Sequence, residues 1–234
     1  SRACGKCENP MVTAILPDGT KKTFDSGATA LTVAEDISPR LARAAVAAKV
    51  SGNLVDLTAP LGNGEHNVSL LTDRDPEALE VLRHTAAHVM AQAVLRLYGG
   101  DVQYSIGPAL MDDFQYGFYY DFDLPEGKSI TAEDLPKIEA EMAKIVKENI
   151  PIKRMDITPA KAKDIFKNFC NGGQNYKIEM IDDMLAENPN LSTVSLYQQE
   201  EFVDMCRGPH LSDTGKLGKA FKLMSVAGAY WRGD

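Results

Sequence analysis

His84 and His88 stand four residues apart in a run, Pro76 to Tyr98, that reads as one helix opened by Asp75-Pro76 and ended by Gly99-Gly100. That spacing stacks the two imidazoles on one helix face. With successive residues turned by about 100°, Leu79, Leu82, Ala86, Val89, Met90, Ala93 and Leu97 form an apolar stripe, and the histidines lie roughly opposite it. Their neighbours there include Val81, Ala91 and Leu95, which predicts that something covers this side as well. A second cluster, Asp204-Met205-Cys206-Arg207-Gly208-Pro209-His210, sets a thiol and an imidazole four apart across Gly-Pro, a rigid turn and not a helix. Three of the chain's four histidines and one thiol therefore fall in two short clusters. Imidazole and thiolate bind zinc, or position and activate water. Each cluster alone also suits plain structure, as a hydrogen-bonded histidine and a buried cysteine, so the residues leave hydrolysis, metal binding and packing open.

The elements that must position these groups fall into an α+β pattern. Met11–Leu16 and Thr20–Phe24 flank the turn Pro17-Asp18-Gly19 as a hairpin. Thr32 with Glu35 reads as a capping box opening a short helix that stops near Ser38-Pro39. Ala45–Val50 and Leu54–Leu57 surround the turn Ser51-Gly52-Asn53, and Asn67–Leu71 is a last short strand. One helix over a small mixed sheet is a β-grasp, ubiquitin-like arrangement, expected over residues 11–72. A charged joint, Thr72–Asp75, leads into a larger α+β domain expected over 73–234, with a mainly antiparallel sheet and long helices. Its strands are predicted at Val102–Ile106, Phe118–Phe122, Ile152–Asp156, Tyr176–Ile181, Ser195–Gln199 and Phe221–Val226. Helices are predicted from Thr131 to Glu148, with Leu135, Ile138, Met142 and Ile145 on one stripe, and from Thr158-Pro159 towards Phe169.

Composition narrows the class. No apolar run of 18 residues exists, and no signal peptide opens the chain, so a cytoplasmic protein without a membrane span is expected. The net charge of -8 argues against a broad non-specific nucleic-acid binder, which needs clustered cations. Four cysteines, Cys4, Cys7, Cys170 and Cys206, do not make a disulfide scaffold. Cys4 and Cys7 form a Cys-x-x-Cys without a second pair at zinc-ribbon spacing. They lie in Ser1–Pro10, ahead of Met11, which is expected to be a cloning remnant outside the fold, a metal knuckle being the alternative.

His84-Thr-Ala-Ala-His88 together with Cys206-Arg-Gly-Pro-His210 resembles the paired motifs of the threonyl- and alanyl-tRNA synthetase editing fold. The string Val203-Asp-Met-Cys-Arg-Gly-Pro-His210 resembles the threonyl type, whereas the alanyl type carries Cys-Gly-Gly-Thr-His. Ile106-Gly-Pro108, Gly117-Phe-Tyr-Tyr-Asp121, Tyr176-Lys177, and Phe221-Lys-Leu-Met224 through Asp234 are similar too. The resemblance spans Met11 to Asp234 and includes the β-grasp module, called TGS in this family. A slightly longer segment, Met111–Tyr116, departs from the pattern.

The resemblance implies an excised region of a threonyl-tRNA synthetase that lacks the aminoacylation domain and cannot activate threonine. Threonine and serine differ by one methyl, worth about 1–3 kcal/mol in a pocket, so a second site must destroy serine wrongly esterified to tRNA(Thr). The implied reaction is hydrolysis of that ester at the tRNA 3' end. By resemblance, His84 and Lys177 activate water and protonate the leaving oxygen, and His88, Cys206 and His210 line the site. Asp204 recognises the serine's ammonium or hydroxyl, and Tyr120 stacks near the terminal adenosine. The threonyl branch implies that no metal is required; a zinc ion on His84, His88, Cys206 and His210 is the alternative. No membrane partner is implied, and the full-length protein is expected to be a homodimer through the missing domain. The competing readings are a non-catalytic module gripping the tRNA acceptor arm, which the acidic balance disfavours, and a zinc-stabilised structural domain.

Overall fold

The computed structural model describes residues 10–113, 115–169, 173–219 and 221–228. The Cys-x-x-Cys of Cys4 and Cys7, Cys170 and the motif residues 229–234 lie outside these. The chain forms two compact units: one takes the residues up to Leu79 together with Pro209–Ser212, the other Glu80–Gly208 and the residues from Asp213 on.

The first unit is a five-stranded mixed sheet in the order β2-β1-β5-β3-β4. β1 (Met11–Ile15) returns as β2 (Lys21–Asp25) through the expected turn, where Gly19 takes φ 87° and Asp18 Oδ1 accepts the Thr20 amide at 2.9 Å. β1 also pairs in parallel with β5 (Gly64–Thr72), and β3 (Ala45–Val50) runs antiparallel to both β5 and β4 (Asn53–Val55). Ser51 and Gly52, both at positive φ, close the β3–β4 hairpin as a primed turn demands. The first helix, α1 (Ala30–Ile37), buries Val33 against Val12, Ala14, Leu61 and Val68, completing the β-grasp.

Two local expectations shift here. The capping box is Thr29 with Thr32, not Thr32 with Glu35: each threonine bonds the other's main chain, so the helix opens three residues earlier. Ser38-Pro39 does not only stop α1. Ser38 Oγ accepts the Leu41 amide, and proline fits the first helical position, so a second helix, α2 (Pro39–Ala44), begins at once.

The second unit is built around α3 (Ala78–Tyr98) and the antiparallel sheet β10-β9-β8. The sheet consists of β8 (Lys153–Ile157), β9 (Val194–Gln199) and β10 (Phe202–Met205), the last two joined by Glu200-Glu201 with Glu200 at φ 51°. Of two longer predicted strands, the regular part is a two-stranded piece, β6 (Gln103–Tyr104) with β7 (Phe122–Asp123), beyond which main-chain bonds join Ser105 and Ile106 to Asp121. α4 (Leu135–Lys147) buries Ile138, Met142 and Ile145 of its predicted stripe, and α5 (Pro159–Lys167) is capped by Thr158. Residues 176–181 are not a strand. They start α6 (Asn175–Glu187), because Ile178, Ile181, Met184 and Leu185 recur every three or four residues once the window is extended. Phe221–Val226 is irregular chain without strand pairing. Among the described residues no helix is long and apolar enough to cross a membrane.

α3 is enclosed on both sides. Ala86, Val89 and Ala93 of its apolar stripe are buried, while Leu79 at its start is exposed. The histidine side is covered as well: Ala87 and Ala91, with Leu95, enter the main core beside Tyr104, Phe166, Leu196 and Phe202.

Candidate active site

Two long-range junctions bring the second unit's site together. Gln174, fully buried, acts as an extra strand residue beside β6: its Oε1 accepts the Tyr104 amide at 3.1 Å and its Nε2 donates to the Val102 carbonyl at 2.9 Å. Gln103 reciprocates by accepting the Asn175 amide at 2.8 Å. α6 is thus stitched to β6, and Lys177, in its first turn, points inward with 2% exposure. The second junction is β10, whose register sets Asp204 opposite Tyr197 and buries it.

Asp204 is the centre. Lys177 Nζ lies 2.6 Å from its Oδ1, which also accepts the Met205 amide at 2.7 Å. His88 Nε2 lies 3.1 Å from Oδ2, and the Tyr120 hydroxyl donates to the same oxygen at 2.5 Å. Four donors fill the acceptor positions of one carboxylate. Lys177 also donates to the Ser105 carbonyl and sits over the rings of Tyr104 and Tyr120, at 5.4 and 5.7 Å. Tyr104 donates its hydroxyl to the Val203 carbonyl, tying β6 to β10.

Burial alone would raise the Asp204 carboxyl, but the Lys177 ammonium and His88 outweigh it and hold it well below the usual carboxylate range. Burial would likewise push His88 down. Asp204 and Cys206, both of which bond it, instead raise it to about 9. His84, half-buried one turn earlier, goes the other way: burial and then the nearby His88 push it below its ordinary 6.5, with Glu80 opposing. Two histidines on one helix face thus carry different charge at neutral pH, His84 neutral and His88 protonated.

Of the residues singled out in the sequence, the fold gathers His88, Lys177, Asp204, Tyr120 and Cys206 in contact or one contact removed, with His84 beside His88. Tyr120 is buried, its ring stacked on Phe122 at 5.1 Å and lying against Gly107. His210 belongs to the Pro209–Ser212 segment of the first unit, where its amide donates to Asp56 Oδ1 at 2.7 Å. Sequence reasoning missed Tyr104, Ser105 and Gln174, which support Lys177. They carry no spacing signal, because their partners come from other elements.

A neutral imidazole next to a buried ammonium–carboxylate–imidazolium chain is equipped to accept a proton from water and to stabilise developing negative charge. Residues 12–72 match the TGS domain, and residues 194–234 match the threonyl and alanyl tRNA synthetase second additional domain, which defines a tRNA synthetase accessory region. The chain is 49% identical over 224 residues to the threonine–tRNA ligase of Hyphomonas neptunium, which covers 96% of this chain and 32% of that protein. It is 48% identical over 220 residues to the ligase of Thermotoga petrophila (94% and 31%) and 46% identical over 223 residues to that of Citrifermentans bemidjiense (95% and 32%). The chain belongs to the threonine–tRNA ligase family, and it spans about a third of the length of these relatives.

Proposed function

We propose that this region hydrolyses the ester between serine and tRNA(Thr), removing an amino acid attached in error. The observation that carries the reading is the buried Lys177–Asp204–His88 chain with neutral His84 one helical turn away. Ester hydrolysis needs a base for the attacking water, a positive environment for the oxyanion and a proton for the departing ribose oxygen. In this reading His84 takes the water proton, and Lys177 faces the oxyanion and protonates the leaving oxygen. His88 and Cys206 line the site, and His210 is assigned to it by family likeness alone.

Asp204 receives the serine's ammonium or hydroxyl. Because its acceptor positions are already filled, the substrate must replace a donor, and the Tyr120 hydroxyl, the one neutral side-chain partner, is the least costly to displace. Tyr120 therefore acts through its hydroxyl, its ring being packed away from any stacked adenosine. The extra methyl of threonine is rejected by a tight wall, since a site can exclude a larger substrate more sharply than it prefers a smaller one.

No metal is required in this reading, because Lys177 supplies the cation. Zinc held at stoichiometric level, with activity lost on chelation, would replace this route with one through His84, His88, Cys206 and His210. The reading itself is tested by incubating the protein with tRNA(Thr) charged with serine or with threonine. Release of serine alone is the expected result. Protection without release would make the region a gripping module, and no effect on either ester would leave a structural one.

A further inference from the structure

Along α3, His84, His88, Gln92 and Arg96 recur every fourth residue on one face. The last three each meet the β9–β10 hairpin: His88 at Asp204, Gln92 at Gln199 and Arg96 at Glu201. The middle rung is unlike the others. Gln92 Nε2 donates to the Gln199 main-chain carbonyl at 3.2 Å, and Gln199 Nε2 donates back to Gln92 Oε1 at 2.7 Å. Both residues are 1% exposed.

Neither amide ionises, so the pair does no acid–base chemistry. Its location gives it another use. Gln92 is one helical turn beyond His88. Gln199 ends β9 and pairs in register with Phe202, two residues ahead of Asp204, and the Phe202 ring meets the His88 imidazole edge-on at 5.7 Å. A junction needed only for packing is served by apolar side chains, which leave no buried polar group to satisfy. Reciprocal amide bonds add direction. They fix how far the helix slides along the hairpin, which apolar contact leaves loose. Arg96 with Glu201 cannot do this as well, because Glu201 is largely solvent-exposed and such a pair is screened.

The geometry points to Gln92 and Gln199 as positioning residues whose reciprocal hydrogen bonds set the register of α3 on the β9–β10 hairpin and so hold the His88 imidazole against the Asp204 carboxylate. The consequence for rate rests on the hydrolytic reading above; the consequence for the His88–Asp204 bond does not.

Both Gln92→Met and Gln199→Met keep side-chain bulk; Gln92→Met removes both bonds, and Gln199→Met removes the one that Gln199 Nε2 donates while leaving the main-chain acceptor in place. Each is compared with wild type for serine release and for the downfield proton resonance of His88 Nε2–H, assigned by its loss in His88→Gln. A substitution at Ile138 in α4, Val or Ala, whichever matches the fall in Tm, serves as the stability control. The expected result is a kcat about tenfold lower with KM within about twofold, since a misplaced group costs rate more than binding. The resonance shifts or disappears in both glutamine variants and is unchanged in the Ile138 control. Wild-type kcat and resonance in both glutamine variants would overturn the assignment, and so would an equal loss in the Ile138 control. If the wild-type protein releases no serine, the hydrolytic reading fails, and the resonance alone still decides whether the pair positions His88.

Discussion

Lys177 Nζ stands 2.6 Å from Asp204 Oδ1, and neither side chain is more than 3% exposed. A pair this dry depends on both members: each charge was taken out of water, and only the other compensates it. Asp204→Asn leaves the Lys177 ammonium and the His88 imidazolium facing a neutral amide. The expected loss of stability is about 3–5 kcal/mol in urea unfolding at pH 7, with Lys177→Met in the same range. A cost under about 1 kcal/mol for both is what a solvated surface pair would give, and it would mean that the buried arrangement does not form.

The same chain predicts how stability follows pH. His88 is raised to about 9, so its contribution is complete below the unfolded value of 6.5 and is lost as pH climbs through 9. Asp204 is depressed, so its contribution is present above the unfolded carboxylate value of 3.8 and is lost as pH falls below that. Together they place the greatest stability from this cluster between the two unfolded values, in the acidic range. Wild type should lose about 3 kcal/mol more than His88→Gln between pH 6.5 and 9.5. Parallel pH curves for the two proteins would show that His88 is not held in its charged form.

Much of this arrangement is legible in the sequence, and what is not has identifiable physical causes. The His84–His88 spacing, the covered histidine face and the non-helical path of Cys206–His210 are local patterns, and each survives folding. The segment Tyr176–Ile181 reads as a strand over a short window, where Tyr176, Ile178 and Met180 alternate. The three- to four-residue repeat through Leu185 decides the matter only at greater length. That single misreading hid why Lys177 is buried, since its orientation depends on the first turn of a helix sewn to β6 by Gln174. The fourfold bonding of Asp204 was invisible for a different reason: its side-chain donors come from α3, α6 and the chain before β7, and no sequence spacing relates those to β10.

His84 has the role most open to direct test. Its depressed pKa keeps it neutral down to below 6.5, so the serine-release rate should hold from neutral pH into that region and fall only beneath it. His84→Ala should slow release at least about tenfold and abolish that inflection, with folding intact. Cys206→Ala, which takes away a bonding partner of His88, should also slow release about tenfold. Rates equal to wild type for both variants would remove these two residues from the mechanism.

Gly208 joins backbone conformation to the site. It sits at φ 68°, a left-handed conformation that costs other residues about 1–2 kcal/mol, and a Cβ there would lie 2.0 Å from the Tyr197 hydroxyl oxygen and 2.6 Å from the ring carbon bearing it. Tyr197 is itself 2% exposed, in the strand that pairs with Asp204, and its hydroxyl accepts from Arg154 Nη1 at 3.2 Å, so its ring cannot swing aside freely. Gly208→Ala must therefore move either the Cys206–Gly208 turn or β9. The expected outcome is a loss of about 2–4 kcal/mol from backbone strain and overpacking together, with serine release falling as Cys206 shifts from His88. Tyr197→Phe in the Gly208→Ala background removes the oxygen but not the ring carbon beneath it, so it should restore part of the stability and not all. Full recovery would show that the hydroxyl is the sole obstacle, and no recovery would show that backbone strain at Gly208 and the Tyr197 ring carbons carry the cost without the hydroxyl.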